Sequence, residues 1–259
     1  LTLPSVLHSN MTVYQSVPNA PITEALLDIQ VARTEDVDFT ALEPFCDAIA
    51  AEYPTRRHRI EWQAAFSVSD DGPAIAASPG GGTVGYLLTS RDGSQIAQAR
   101  VNGFSLSRLR PYQDWNRFRA EAQRLWEIYL EIAQPRMIER IALRYINRLE
   151  LPLPFEDFRE YVRTAPEIAP GLPQSLSHFL MQLHIPSSVH DAVAIVTETL
   201  EPPKDDGSLL PFILDIDAVR KGSLHPNDPT LWERFEKLHA LKNEIFFQTI
   251  TEKTKALFQ

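Results

Sequence analysis

Leu, Ile and Val alternate with Glu24, Asp28 and Gln30 through residues 22–33, behind Pro18 and Pro21, and this period of two predicts a first strand. The period then lengthens. Phe39, Leu42, Phe45, Cys46 and Ile49 recur at helical spacing behind Asp38, a suitable cap, which predicts a helix over 39–52 that Pro54 ends. Residues 59–68 read as a strand, Asp70-Asp71-Gly72-Pro73 and Pro79-Gly80-Gly81-Gly82 mark a loop, and strands are expected over 84–90, 96–101 and 104–109. Between these last three, Asp92-Gly93 and Asn102-Gly103 suit tight turns, whose central positions need positive φ. From Asp114 onward the stripe Trp115, Phe118, Ala122, Leu125, Trp126, Tyr129 and Ile132 predicts a long helix ending near Pro135.

The same grammar then repeats. A strand over 138–151 precedes a short helix through Phe155, Phe158, Tyr161 and Val162, a proline-rich loop around Pro166, Pro170 and Pro173, and strands over 176–185, 190–200 and 209–217. A final helix is capped by Asp228, has Pro229 at its first position, and turns Trp232, Phe235, Leu238, Ile245, Phe246 and Leu257 inward. Spelling returns with the order: Trp115-Asn116-Arg117-Phe118 reappears as Trp232-Glu233-Arg234-Phe235 at an offset of 117 residues, and Ile128-Tyr129 as Ile245-Phe246 at the same offset. The short helices align at 116, pairing Phe39 with Phe155 and Leu42 with Phe158. Agreement in element order, length and aromatic placement favours a duplicated unit.

The expected fold is therefore α+β. Behind a flexible segment 1–17, β-α-β(3–4)-α repeats over 18–135 and 136–259 pair about a pseudo-two-fold, merging into one curved antiparallel sheet with two long helices on one face. In topology this resembles the saddle of the TATA-binding protein superfamily, a likeness that implies a fold and not a function.

Composition narrows the classes. At 259 residues, 44% of them hydrophobic and 23% charged, the chain needs no disulfide or metal to fold, since at this size roughly three quarters of the unfolded surface is buried. Cys46 is the one cysteine, and no stretch approaches the ~20 apolar residues of a membrane span. The first ten residues lack the pattern of a secretory signal, so a cytoplasmic location is expected. A formal charge of −9 disfavours nucleic acid as a partner, because such binding draws on Lys and Arg neutralising phosphates. A local basic patch from Arg100, Arg108, Arg110, Arg140, Arg144 and Arg148 on predicted strands is compatible with that total.

Candidate chemistry starts from strand alternation. Glu24, Asp28 and Gln30 share one face of the first strand, and Arg144, Arg148 and Glu150 share a face of its counterpart. If these strands lie side by side, the polar face either receives an anionic ligand on the planar forks of Arg144 and Arg148, or forms a ladder of cross-strand ion pairs. The ligand-binding set on the first reading is Glu24, Asp28, Arg144, Asn147 and Arg148. Asp215 and Asp217, two apart on a strand, suit a divalent cation or acid–base work, with His225 or His184 as helpers, or serve simply as solubilising charges. His184 and His190 flank a turn without a metal-ligand spacing, and His239 reads as a packing residue of the last helix. The glycine run at 80–82 lacks the Gly-Lys-Ser/Thr of a phosphate loop, no Gly-x-Ser-x-Gly is present, and Cys46 on an apolar stripe is inert. No cofactor or metal is expected.

Pro18-Asn19-Ala20-Pro21-Ile22-Thr23-Glu24-Ala25, Arg144-Tyr145-Ile146-Asn147-Arg148, and Leu238-His239 followed by Phe246-Phe247 and Ile250-Thr251 together resemble a sporadically distributed bacterial family of proteins of about this length. That resemblance implies no activity, cofactor or catalytic residue. The reading that follows is a non-enzymatic binding or interaction protein, using the exposed sheet face or the long helices to engage a protein partner or a small anionic ligand. A metal-dependent hydrolase or nuclease built on Asp215 and Asp217 is the alternative, and nucleic-acid binding on the concave sheet the third.

Overall fold

The computed structural model describes residues 19–32, 38–60, 82–203 and 207–259, together with the backbone of 64–69 and 72–77. The expected N-terminal segment 1–17 lies outside the described residues. In chain order the elements are β1 (Ile22–Val31), a 3-10 turn (Phe39–Leu42), α1 (Glu43–Ala48), β2 (Thr55–Ile60), β3 (Ala64–Ser69) and β4 (Gly72–Ala77). There follow β5 (Thr83–Thr89), β6 (Gln95–Arg100), β7 (Gly103–Leu109), α2 (Trp115–Ala133), β8 (Ile138–Pro152) and a second 3-10 turn (Phe158–Glu160). The chain closes with β9 (Leu180–Ser187), β10 (Ala192–Leu200), β11 (Leu209–Leu224), α3 (Leu231–Thr249) and α4 (Glu252–Ala256).

Nine strands form one curved, open antiparallel sheet in the order β2-β5-β6-β7-β1-β8-β11-β10-β9, and β3 pairs with β4 separately. β1 and β8 lie side by side at its middle, with Leu27 opposite Leu143 and Leu26 opposite Arg144. Period-2 alternation then sorts the side chains. Ala25, Leu27 and Ile29 of β1, Leu143 and Tyr145 of β8, Phe104 and Leu106 of β7, and Phe212, Leu214 and Ile216 of β11 are all buried on one side. Both long helices cover that side: Trp126 and Tyr129 of α2 pack on Phe104, and His239 of α3 meets Tyr145. Each large apolar side chain buried there is worth about 1.5–3 kcal/mol relative to exposure, which is why the alternation holds across many strands. The helices also join each other. The Trp115 ring stacks on His239 at 4.5 Å, its Nε1 donates to Glu236 at 2.9 Å, and Arg119 reaches the same carboxylate.

Turn chemistry follows the sequence. Gly93 adopts φ +71, and Gly103 adopts φ +152 where a Cβ would stand 2.3 Å from the Ile29 carbonyl oxygen, so the approach of β7 to β1 admits only glycine. Asp114 caps α2 by accepting from the Arg117 amide.

Several expectations change, among them the short helix through Phe155 and Val162, which is only the 3-10 turn Phe158–Glu160, and the strand over 176–185, which is Leu180–Ser187. The helix over 39–52 is a 3-10 turn followed by a short α1, because Pro44 has no N–H to continue the ladder and sits in the first turn, where none is needed. The strand over 59–68 is two elements: β2 pairs with β5 as a sheet edge, and β3 turns back onto β4 through what read as a loop. Residues 70–71 and 79–81 of that loop lie outside the described residues. α3 starts at Leu231, with Asp228 holding the Thr230 amide and hydroxyl instead of capping the helix directly. It also stops at Thr249, so the helical phase resets at Ile250: Phe258 is buried and Leu257 is exposed.

Candidate functional site

On the side of the sheet away from the helices, uncovered among the described residues, Glu24, Asp28 and Gln30 of β1 lie on the same face as Arg144, Arg148 and Glu150 of β8, because directly paired residues share a face. Carboxylates and guanidiniums meet there in a connected stripe. Asp28 accepts from Arg100 at 2.5 Å and from Arg140 at 3.0 Å, and Arg140 reaches on to Asp217 at 3.4 Å. Arg144 grips Asp215 through both Nε and Nη2, at 2.8 and 2.5 Å. Arg148 is shared between Glu150 and Glu201. The guanidiniums that could hold an anion are thus already engaged by the chain's own carboxylates, and Asp215 and Asp217 have guanidiniums where a cation would need to sit. Burial pushes the Asp217 carboxyl above its ordinary range despite Arg140 and Arg144, the long Arg140 contact being too weak to offset desolvation. Among the described residues no three His, Cys, Asp or Glu converge on a possible metal position.

Several polar atoms in this stripe lack a partner among the described residues: Gln98 Oε1, Ser105 Oγ, Arg100 Nε and Asp217 Oδ1. A buried polar atom left unpaired costs about 1–3 kcal/mol, so these mark a surface whose hydrogen bonding is incomplete.

Towards the β9 edge the same face turns apolar. Pro186, Val193, Ile195 and Val219 line a groove of about 600 Å³, bordered by His184 and Lys221. Leu180 on β9 is 70% exposed, and among the described residues β9 pairs only with β10, which leaves its outer backbone edge open there apart from the blunting proline at 186.

Asn147 does not share that surface. Its side chain is buried on the helix side, donating to the Leu214 and Tyr145 carbonyls. Of three ionisable groups on the helix side, His239 was read from the sequence as a packing residue, while Lys242 and Glu198 were not singled out. Lys242 of α3 places its Nζ 3.7 Å from the Tyr145 ring centre, and burial lowers its pKa to about 7. His239 is lowered to about 3 by burial and then by the Lys242 charge, and Glu198 of β10 is raised to about 7 by burial alone. The signal was present in the phase: Lys242 lies four residues from Leu238 and from Phe246, and Glu198 alternates with Ala194, Val196 and Leu200.

No helix among the described residues is long and apolar enough to cross a membrane. Compared with models of protein families and with curated proteins, the chain matches none.

Proposed function

We propose that the protein is a non-enzymatic binding module whose uncovered sheet face receives an extended segment of a protein partner, laid along the apolar groove and the open edge of β9. The carrying observation is that groove, lined by Pro186, Val193, Ile195 and Val219 beside an unpaired strand edge. A strand added to an edge gains main-chain hydrogen bonds, and alternate side chains entering a pocket give it specificity. The polar stripe of Glu24, Asp28, Arg144 and Arg148 then borders the groove and meets the partner's hydrogen-bonding side chains, while Asn147 supports the face from beneath. A small anion is a weaker candidate for this face, since it would have to displace Asp215, Glu150 or Glu201 from their guanidiniums.

We also read residues 18–135 and 136–259 as copies of one unit in a saddle like that of the TATA-binding protein superfamily. Support comes from the contact of Arg119 with Glu236, positions separated by the same 117 residues as Trp115 and Trp232. Equivalent positions of two related units touch only near the axis that relates them.

Selection of displayed short peptides tests the binding reading. Enriched sequences should alternate apolar positions and bind wild type, lose binding to Val193→Glu with Ile195→Glu, and keep most of it with Arg148→Met. Peptides that bind the double variant as well as wild type would refute the groove.

A further inference from the structure

On the helix side, at the tip of the β9–β10 turn, a cavity of about 210 Å³ opens between the end of β11 and the first two turns of α3. Four basic side chains converge on it from three elements: His190 from the turn, Arg220 from β11, and Arg234 and Lys237 one helical turn apart on α3. In a chain of net charge −9 this convergence runs against the overall balance. Two carboxylates of the lining oppose it, Glu233 and Asp191, and Glu244 stands 3.9 Å from His190 Nε2.

Asp191 is the informative one. It holds φ +50, a conformation that asparagine and aspartate tolerate better than other side chains, and from the turn its carboxylate accepts from Arg220 Nε at 2.8 Å. The Arg220 hydrogen bond and charge, and behind them the charges of Arg234 and Lys237, hold this carboxyl below its ordinary pKa. An exposed aspartate at a hairpin tip thus sits where three cations favour negative charge. Arg234 is steadied by its Nε contact to Thr230 Oγ at 3.1 Å, and Ser187 fixes His190 through Nδ1 at 2.9 Å. Lys237 makes no hydrogen bond or ion pair among the described residues, so its ammonium is available.

We propose that this cavity is a binding site for the phosphate group of a small phosphomonoester, with the Asp191 carboxylate as the intramolecular occupant that the phosphate displaces from Arg220. The Arg220 fork receives two phosphate oxygens, Lys237 supplies a point charge, and Arg234 completes the cage. Size sets the class: about 210 Å³ is below the roughly 300 Å³ at which pockets for drug-sized ligands begin, so a phosphate with a short organic group fits and a nucleotide does not. The cavity shares Asp191 and Arg220 with the end of the sheet-face groove, whereas Arg234 and Lys237 line the cavity and Val193 and Ile195 the groove, so variants at those positions let either reading fail alone.

The test titrates the full chain with inorganic phosphate and then with glycerol phosphate, against chloride at matched ionic strength, by calorimetry and thermal shift. Wild type should bind both phosphates in preference to chloride. Asp191→Asn, which keeps the turn conformation and removes the competing charge, should tighten phosphate binding about tenfold, the equivalent of one lost charge-assisted contact. Lys237→Gln and Arg234→Gln should each weaken it by a similar factor, while Arg117→Gln on α2 leaves it unchanged. Phosphate that stabilises no more than chloride, or an Asp191→Asn variant with wild-type affinity, overturns the proposal. Binding of inorganic phosphate without glycerol phosphate overturns the phosphomonoester assignment.

Discussion

The two faces of the sheet handle charge in opposite ways. On the uncovered face every arginine of the central stripe has a carboxylate: Arg100 and Arg140 hold Asp28, Arg144 holds Asp215, and Arg148 holds Glu150 and Glu201. On the helix-covered face Lys242 has an aromatic ring in place of a carboxylate, and Glu198 Oε2 has no partner among the described residues. The first set has opposite charges to offset its partial burial, while burial without such a partner shifts Lys242 and Glu198 toward their neutral forms. A lone buried charge makes stability slope with pH.

Disrupting the covered face should have the largest effect. Phe104→Ala removes a ring that packs on Phe45, Trp126 and Tyr129, and a buried phenylalanine truncation costs about 3–5 kcal/mol. Urea unfolding measures it, and a loss under 1 kcal/mol, the size expected at a surface site, would mean this face is not the core.

Next comes Lys242→Met, with the opposite sign. Replacing a lone buried charge by an apolar side chain of similar length stabilises by about 1–4 kcal/mol, offset in part by the lost contact with the Tyr145 ring. Since the folded pKa is about 7 and the ordinary value 10.5, the unfolded chain holds the extra proton between those limits. The penalty is therefore complete below pH 7 and fades towards 10.5, and so should the gain from Lys242→Met. Its neighbours add slopes of their own: neutral His239 loses stability as pH falls from 6.5 towards 3, and protonated Glu198 loses it as pH rises from 4.5 through about 7. A variant less stable than wild type at pH 6 would show that the ammonium is better satisfied than its surroundings suggest.

The uncovered face should respond least. Asp28→Ala leaves Arg100 and Arg140 without their shared carboxylate and should cost about 1–2 kcal/mol. Arg148→Met, which breaks contacts to two carboxylates nearer solvent, should stay within about 1 kcal/mol. Equal losses from both would erase the distinction between the middle of the stripe and its end.

Much of this was legible in the sequence because alternation is a local property. The common face of Glu24, Asp28 and Gln30 on β1, that of Arg144 and Arg148 on β8, and the stripe of α2 follow from residue spacing alone, whereas the pairing of β1 with β8 entered the sequence reading only as a condition. Other features were not local. Whether Arg144 meets Asp215 or an outside anion depends on β11 lying beside β8, seventy-one residues away in the chain. The break at Ile250 that exchanges Leu257 for Phe258 turns on the link between Val162 and Ile250, which the helical pattern does not announce. Nor does any motif mark the groove at Val193 and Ile195, which read from sequence as ordinary strand residues and become a surface only because β9 ends the sheet.

Hydrogen exchange of the full chain, with and without a selected peptide, tests the central claim most directly. The account predicts slowed exchange along β9, β10 and the outer half of β11, with α2 and the outward faces of α3 unchanged. Protection confined to the helices, or spread over β2 and β5 at the far edge, would contradict it.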